Sequence, residues 1–390
     1  MEDICSRSCA FMMRLWSADK MNVPFLDLKS QYLRLKPEIE EVFADIFEHS
    51  AFICGKYVGL FEKEFAAALG AKRFVATSSG TDAVHLMLWA AGIGPGDEVI
   101  VPVNTFIATA EGVSLCGATP VFVDNDPVSF NIHIGQIEKK ITPLTRAVLP
   151  VHLYGQPVNM DNINDIASRH GLMVFEDACQ AQLARFRGKA AGNFGTAAAF
   201  SFFPGKNLGA YGEAGGISTN NEELFQKMLR TRGHGSVERY VHEIIGHNYR
   251  MEEIQAAVLL VKLKYLEAWN ARRREIAKLY RSLLADLQEV ICPVESVDVY
   301  HIYHLFVVRV PADKRDKLKG FLQEKSIAAG LHYPIPIHLQ KAYAHLGYKK
   351  GDFPVAEKQA AEILSLPIYP EMTDDMVDFV CKTIKRFFVA

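Results

Sequence analysis

Two side chains in this sequence, Lys206 and Asp177, are of types that could do chemistry together. Lys206 lies in Ser201-Phe202-Phe203-Pro204-Gly205-Lys206-Asn207-Leu208-Gly209, a turn of Pro and Gly at the mouth of an apolar strand running from Ala197 to Phe202. Asp177 closes a second apolar strand in Val174-Phe175-Glu176-Asp177-Ala178-Cys179-Gln180. A lysine amine forms a Schiff base with an aldehyde, and a carboxylate can hold a protonated pyridine nitrogen. Together they are what pyridoxal phosphate chemistry requires. The plainer reading of Lys206 is a surface lysine in a Gly-Pro turn.

A phosphate would need its own cradle. Thr81 and Asp82 stand where the turn Thr77-Ser78-Ser79-Gly80 opens an apolar helix near Ala83. Unpaired N–H groups and the positive end of the helix dipole suit an anion there. Ser-Gly-Thr-Asp is also an ordinary capping sequence. The hydroxyl of Ser201 could converge on the same phosphate. Other chemistries fail on spacing. A Walker loop ending at Lys206 would need Gly at 200 and Ser or Thr at 207, where the chain has Phe200 and Asn207. Gly92-Ile93-Gly94-Pro95-Gly96 precedes a strand instead of following one, so it is no dinucleotide fingerprint. In His242-Glu243-Ile244-Ile245-Gly246-His247 the second histidine comes one residue too late for a zinc-binding helix. No metal site is expected.

These residues must be placed by strands and turns. Short apolar runs recur at Phe74 to Ala76, Glu98 to Pro102, Pro120 to Val123, Ala147 to Val151, Leu172 to Phe175 and Ala197 to Phe202, alternating with helical patterns. That order indicates an α/β fold, a parallel sheet covered on both faces, with ligands bound beyond the carboxyl ends of the strands. Phe106, Asp177, Ser201 and Lys206 fall at or just past such ends. The pattern is helical from Gln31 to Leu69, with a break near Ala51 to Gly55, and again from Met251 to Leu287. We expect a large domain over 21–265 and a smaller α+β domain over 266–390, with a strand from Tyr303 to Val310 and a helix from Asp313 to Glu324. Residues 1–20 are expected to be a disordered extension, Met21 opening the ordered protein.

The whole chain, 390 residues with 49% hydrophobic and 23% charged, suits a soluble enzyme of this size. A net charge of −2 argues against nucleic acid or an anionic membrane as partner. The basic run Arg272-Arg273-Arg274 reads as a solvated helix face. No apolar run is long enough to span a bilayer. Seven scattered cysteines form no disulfide framework, so a reducing cytoplasm is expected. His332 and His338 flank a proline-stiffened loop, Tyr333-Pro334-Ile335-Pro336-Ile337, whose polar tips could reach a sugar hydroxyl. A surface loop is the alternative.

Taken together, Ser-Gly-Thr-Asp-Ala at 79–83, Asn-Thr-Phe-Ile-Ala-Thr at 104–109, Glu-Asp-Ala-Cys-Gln-Ala at 176–181 and the Lys206 turn resemble the DegT-type sugar aminotransferases. Gly-His-Asn-Tyr-Arg-Met at 246–251 and His-Tyr-Pro-Ile-Pro-Ile-His-Leu-Gln at 332–340 extend the resemblance, which runs from about Asn22 to the C-terminus. It implies the aspartate aminotransferase fold (fold type I) and a homodimer with active sites at the interface. By the same resemblance, Lys206 bonds covalently to pyridoxal phosphate, Asp177 pairs with its ring nitrogen, Gln180 lies by the ring hydroxyl and Phe106 stacks on the ring. Thr81, Asp82 and Ser201 hold the phosphate with Asn248 from the partner subunit, and His332, Tyr333 and His338 lie near the sugar. Cys179 departs from the small residue that the family often carries there. The implied reaction moves an amino group from glutamate to a nucleotide-linked keto sugar, carbon 3 favoured over carbon 4, for lipopolysaccharide, surface polysaccharide or antibiotic sugars. The alternatives are a pyridoxal phosphate dehydratase or lyase and a non-catalytic regulator.

Overall fold

The computed structural model describes residues 21–389. The extension expected at 1–20 lies outside the described residues. Seven strands, β1 (Arg73–Thr77), β2 (Glu98–Pro102), β3 (Thr119–Val123), β4 (Thr145–Val148), β5 (Met173–Asp177), β6 (Ala197–Ser201) and β7 (Gly215–Thr219), form one sheet in the order β1-β7-β6-β5-β4-β2-β3. The strands from β2 to β6 pair in parallel, whereas β7 runs antiparallel to both β6 and β1. Near-continuous burial along β5, β6 and β7 is what a sheet covered on both faces demands. The antiparallel β7 is absent from the sequence reading for a local reason. It opens on Gly215-Gly216, which carries no β-branched signal, and a Cβ on Gly216 would come within 2.3 Å of the Phe74 ring.

Helices α1 (Leu28–His49) and α2 (Lys56–Leu69) precede the sheet, with the expected break between them at Ser50, whose φ is 50°. One sheet face carries α3 (Gly80–Ala90) and α4 (Ala108–Leu115) over Val75, Val101, Phe175 and Ala199, while α5 (Met160–His170) packs against Ile100, Val148 and Val174 and α6 (Glu222–Arg232) joins α3 and α4. On the other face α2 and α7 (Glu253–Leu263) cover Phe74, Phe200 and Phe202. Phe65 meets Phe74, Phe200 and Phe202 edge-on at centroid distances of 4.9, 5.4 and 5.2 Å. Edge-to-face pairs contribute about 0.5–1.5 kcal/mol each beyond burial. They anchor the root of the Lys206 turn.

The single helical stretch expected from Met251 to Leu287 is two helices, α7 and α8 (Leu266–Leu283), separated at Lys264–Tyr265. Beyond α7 a second unit gathers α8, α9 (Ala312–Glu324), the antiparallel strands β8 (Phe306–Arg309) and β9 (Ile363–Leu366), and α11 (Asp374–Val389), with α10 (Pro354–Glu362) between β8 and β9 in the chain. Its core holds Tyr280, Phe306, Leu318, Leu322, Val377 and Ile384. Val23 belongs to this core too: its N–H donates to Ser326 O at 2.9 Å and its carbonyl accepts from Ala328 N at 2.9 Å. Backbone pairing thus ties the segment that opens the expected large domain to a stretch some three hundred residues on, a link that leaves no local trace in the sequence. The segment 236–242 is a hairpin, not a helix, so His242 and His247 never share a helical face. No described helix is long and apolar enough to cross a membrane.

Candidate active site

The carboxyl ends of β5 and β6 open into a cavity of about 640 Å³. Lys206, Asp177, Gln180, Ser201, Thr81, Phe106, His332 and Tyr333 all line it. Lys206 is held by a short turn in which its N–H donates to Phe203 O at 2.8 Å. Burial lowers its pKa, partly opposed by Cys179 and Asp177 nearby.

Asp177 ends β5, and its carboxylate accepts from the Thr109 hydroxyl at 2.6 Å and from Cys179 N–H at 3.1 Å. The preceding residue, Glu176, points the opposite way, as alternation along a strand requires. It is fully buried, accepting from Gly192, Phe194 and Gly195 N–H at 2.8, 2.7 and 2.9 Å. Val158 N–H donates to His152 Nδ1, so the ring proton is on Nε2 and points at Glu176 Oε2, 3.0 Å away. Burial alone would raise the Glu176 pKa, but the bonds from His152 and the backbone hold it below the usual value. Glu176→Gln should cost about 3 kcal/mol of stability, read from urea midpoints, since it removes the charge these donors surround. A depressed folded pKa stabilises above the unfolded value and is lost as pH falls. The gap between wild type and variant should therefore narrow below about pH 4.

The expected phosphate cradle lies at the start of α3. Ser79 caps the helix by accepting from Asp82 N–H at 3.1 Å, leaving the Gly80 and Thr81 N–H groups without protein partners among the described residues. Gly80 packs on the end of β6: a Cβ there would lie 2.6 Å from Ser201 Cβ. A glycine is thus what lets the Ser201 hydroxyl approach the open N–H groups. Asp82 does not line the cavity. Its carboxylate accepts from the Ser78 hydroxyl at 2.6 Å, and its N–H is spent on the cap. Of the three residues expected at the phosphate, Thr81 and Ser201 line the cavity and Asp82 does not.

Phe106, 51% exposed, projects beside the Tyr333 ring at 5.6 Å. Gln180 is oriented by Tyr154: its Oε1 accepts from Tyr154 N–H at 2.7 Å, so its amide NH₂ faces Tyr333 Oη at 3.1 Å. The Tyr154 hydroxyl donates to His332 O, tying down the 332 loop. His332 Nδ1 lies 2.8 Å from Ser365 Oγ, and burial pushes its pKa down to about 4. His338 is not brought to the cavity. It is 2% exposed, 3.0 Å from Glu357 and packed on Phe353, because Ile337 N–H pairs with Val103 O and draws the end of the loop into the core. Asn248 is exposed on this single chain, its Oδ1 accepting from Arg250 Nε at 2.9 Å.

Several cavity residues escape the sequence reading, three of them polar and buried or bonded at the site. Thr109, the buried partner of Asp177, ends a quoted motif but has no role there. His304 lines the wall, 3.3 Å from Asn207 Oδ1. Arg273, expected on a solvated face, is 3% exposed and lines the cavity, whereas Arg272 and Arg274 pair with Asp374 and Glu295. A run of three arginines hides the inward one, since only the helix phase against its neighbours separates them.

The residues present fit pyridoxal phosphate: open N–H groups and a hydroxyl for the phosphate, an exposed ring to stack, a carboxylate braced by two donors and a desolvated amine. With the sheet order above, they define an aspartate aminotransferase-like enzyme dependent on that cofactor. Residues 34–385 match the DegT/DnrJ/EryC1/StrS aminotransferase family, and the chain belongs to it. The "pleiotropic regulatory protein" of Geobacillus stearothermophilus is 48% identical over 94% of this chain and 99% of its own. The dTDP-3-amino-3,4,6-trideoxy-alpha-D-glucose transaminase of Streptomyces venezuelae is 44% identical over 91% of this chain and 93% of its own. The crystal structure of S. venezuelae DesV in complex with a ketimine intermediate superposes with a TM-score of 0.91 at 43% identity, covering 94% of this chain and 98% of that one.

Proposed function

We propose that this enzyme takes an amino group from glutamate and delivers it to carbon 3 of a keto sugar carried on UDP or dTDP. The products would feed lipopolysaccharide, other surface polysaccharides or antibiotic sugars. The observation that carries the reading is the convergence of the Lys206 amine and the Asp177 carboxylate on one cavity. Carbon 3 is favoured by the likeness to a relative named for a 3-amino sugar. The working form is a cytoplasmic homodimer in which Asn248 of each subunit completes the phosphate site of the other. Its exposure on the single chain fits that role.

When bound, pyridoxal phosphate supplies an electron sink for the pair left when a carbon–hydrogen bond breaks. Gly80 and Thr81 N–H with the Ser201 hydroxyl would hold its phosphate, Phe106 would cover its ring and Asp177 would meet its nitrogen. Thr109 and Cys179 N–H keep the Asp177 carboxylate from turning away. Lys206 Nζ is the base that takes the proton from the donor carbon and the acid that returns it. An ammonium cannot accept a proton, so the lowered pKa of Lys206 serves this step. Tyr333 and His332, on the braced loop, flank the place for the sugar.

The name of one relative raises a regulatory reading. Half-reactions separate the two. Glutamate should convert the bound cofactor to its pyridoxamine form, and a 3-keto nucleotide sugar should restore it at least about tenfold faster than a 4-keto sugar. No conversion with any donor sinks the enzymatic reading; faster recovery with 4-keto sugars sinks only the carbon 3 assignment.

A further inference from the structure

His304 stands in the cavity wall with its ring locked by the residue that follows Lys206. Asn207 Nδ2 donates to Asn270 Oδ1 at 2.8 Å and to Ile302 O at 3.2 Å, and Asn270 Nδ2 donates in turn to Gln182 O at 3.0 Å. Backbone carbonyls only accept, so the Asn207 atom 3.3 Å from His304 Nδ1 is its oxygen, and Nδ1 carries the ring proton. Both amides are buried, which holds this arrangement in place. Burial, and then the nearby Lys206 and Arg273 charges and the His332 ring, push the His304 pKa well down, so the ring is neutral. Nε2 is thereby an unprotonated acceptor. It has no protein partner among the described residues, yet packing does not seal it as it seals Nε2 of His85 and of His247.

A bare ring nitrogen takes a hydrogen bond from O–H or N–H and turns away groups that bring only lone pairs. That excludes the carboxylates of glutamate, the cofactor phosphate, the nucleotide diphosphate and the keto oxygen itself. The donor's amine is the reacting group and is spent on the cofactor. What remains is a hydroxyl or amide N–H of the sugar. His304 lines the same cavity as Lys206 and His332 and lies within the field of both. The first attends the reacting carbon, and the second sits on the loop beside the sugar. We propose that His304 Nε2 accepts a hydrogen bond from the hydroxyl or amide N–H on a carbon next to the keto carbon, and so selects the sugar. This deepens the keto-sugar aminotransferase reading above and rests on it.

The test follows the sugar half-reaction of the holoenzyme by cofactor absorbance. Its probes are keto sugars on one nucleotide that differ only in a hydroxyl or a hydrogen on a neighbour of the keto carbon. In wild type, replacing one of those hydroxyls by hydrogen should raise the half-saturating concentration about tenfold, the range for losing one hydrogen bond. His304→Asn keeps an amide N–H in the place of Nδ1, and with it the bond to Asn207, but removes Nε2. In this variant the preference should shrink to about twofold or less. A cavity merely loosened by the substitution weakens both sugars alike and keeps their ratio. A preference that survives in His304→Asn therefore defeats the role of His304 alone. A working wild type indifferent to the hydroxyl on either neighbour overturns the proposal whether or not the variant folds. A wild type that glutamate does not convert, or that no keto sugar restores, defeats the keto-sugar reading and takes this inference with it.

Discussion

Lys206→Ala abolishes transamination, with turnover expected to fall by about 10⁴-fold or more. The residue is asked for two things that no neighbour can supply: a nucleophilic amine and a base at the reacting carbon. Cys179 is the other nucleophile in the cavity wall, and burial with the adjacent Asp177 charge pushes its thiol pKa well up. It is thereby a poor substitute. Lys206, by contrast, loses its proton more readily than an exposed lysine, because burial disfavours the ammonium. Covalent capture of the cofactor by the apoprotein should accordingly climb with pH and be well under way below the ordinary lysine value of about 10.4. Borohydride trapping followed by peptide mapping reads the bond directly. Wild type should carry the label on the peptide containing Lys206, and the variant should carry none. Label on another lysine of the wild type would remove the basis of the proposed function.

Asp177→Asn should leave the cofactor bound and slow the glutamate half-reaction by about 10²–10³-fold, the range for losing one preorganised electrostatic partner in a water-poor site. The substitution is nearly isosteric: the amide oxygen can still accept from Cys179 N–H, and the NH₂ in place of Oδ2 can donate to the Thr109 hydroxyl oxygen. What disappears is the negative charge beside the ring nitrogen. The phosphate cradle, the Phe106 ring and Lys206 are untouched, so the equilibrium constant for cofactor binding should change far less than the rate. Single-turnover kinetics with glutamate, alongside a cofactor titration, separates the two quantities. A variant as fast as wild type would place the ring nitrogen somewhere other than Asp177.

Much of this site is legible along the chain because its parts are short and local. The Lys206 turn, the strand ending at Asp177 and the small-residue turn before α3 each show their role within ten residues or so, and period and punctuation alone put them at the carboxyl ends of strands. Family resemblance then fits them together in one order. The Gly-Gly start of β7 is silent by comparison, and the loop from His332 to His338 misleads. Its two histidines look equivalent in sequence, yet one is bonded to Ser365 at the cavity and the other to Glu357 in the core.

What the sequence by itself determined is the chemistry: an amine, an acid, an anion cradle and the α/β scaffold that presents them. Tertiary structure alone decided which residues orient that chemistry. Thr109 reaches Asp177 across 68 positions, Val23 pairs with a segment some three hundred residues away, and Arg273 turns inward between two arginines that face carboxylates. The physical reason is common to all three. A side chain's or strand's partner is set by packing between distant elements, which composition, periodicity and spacing within a segment do not encode.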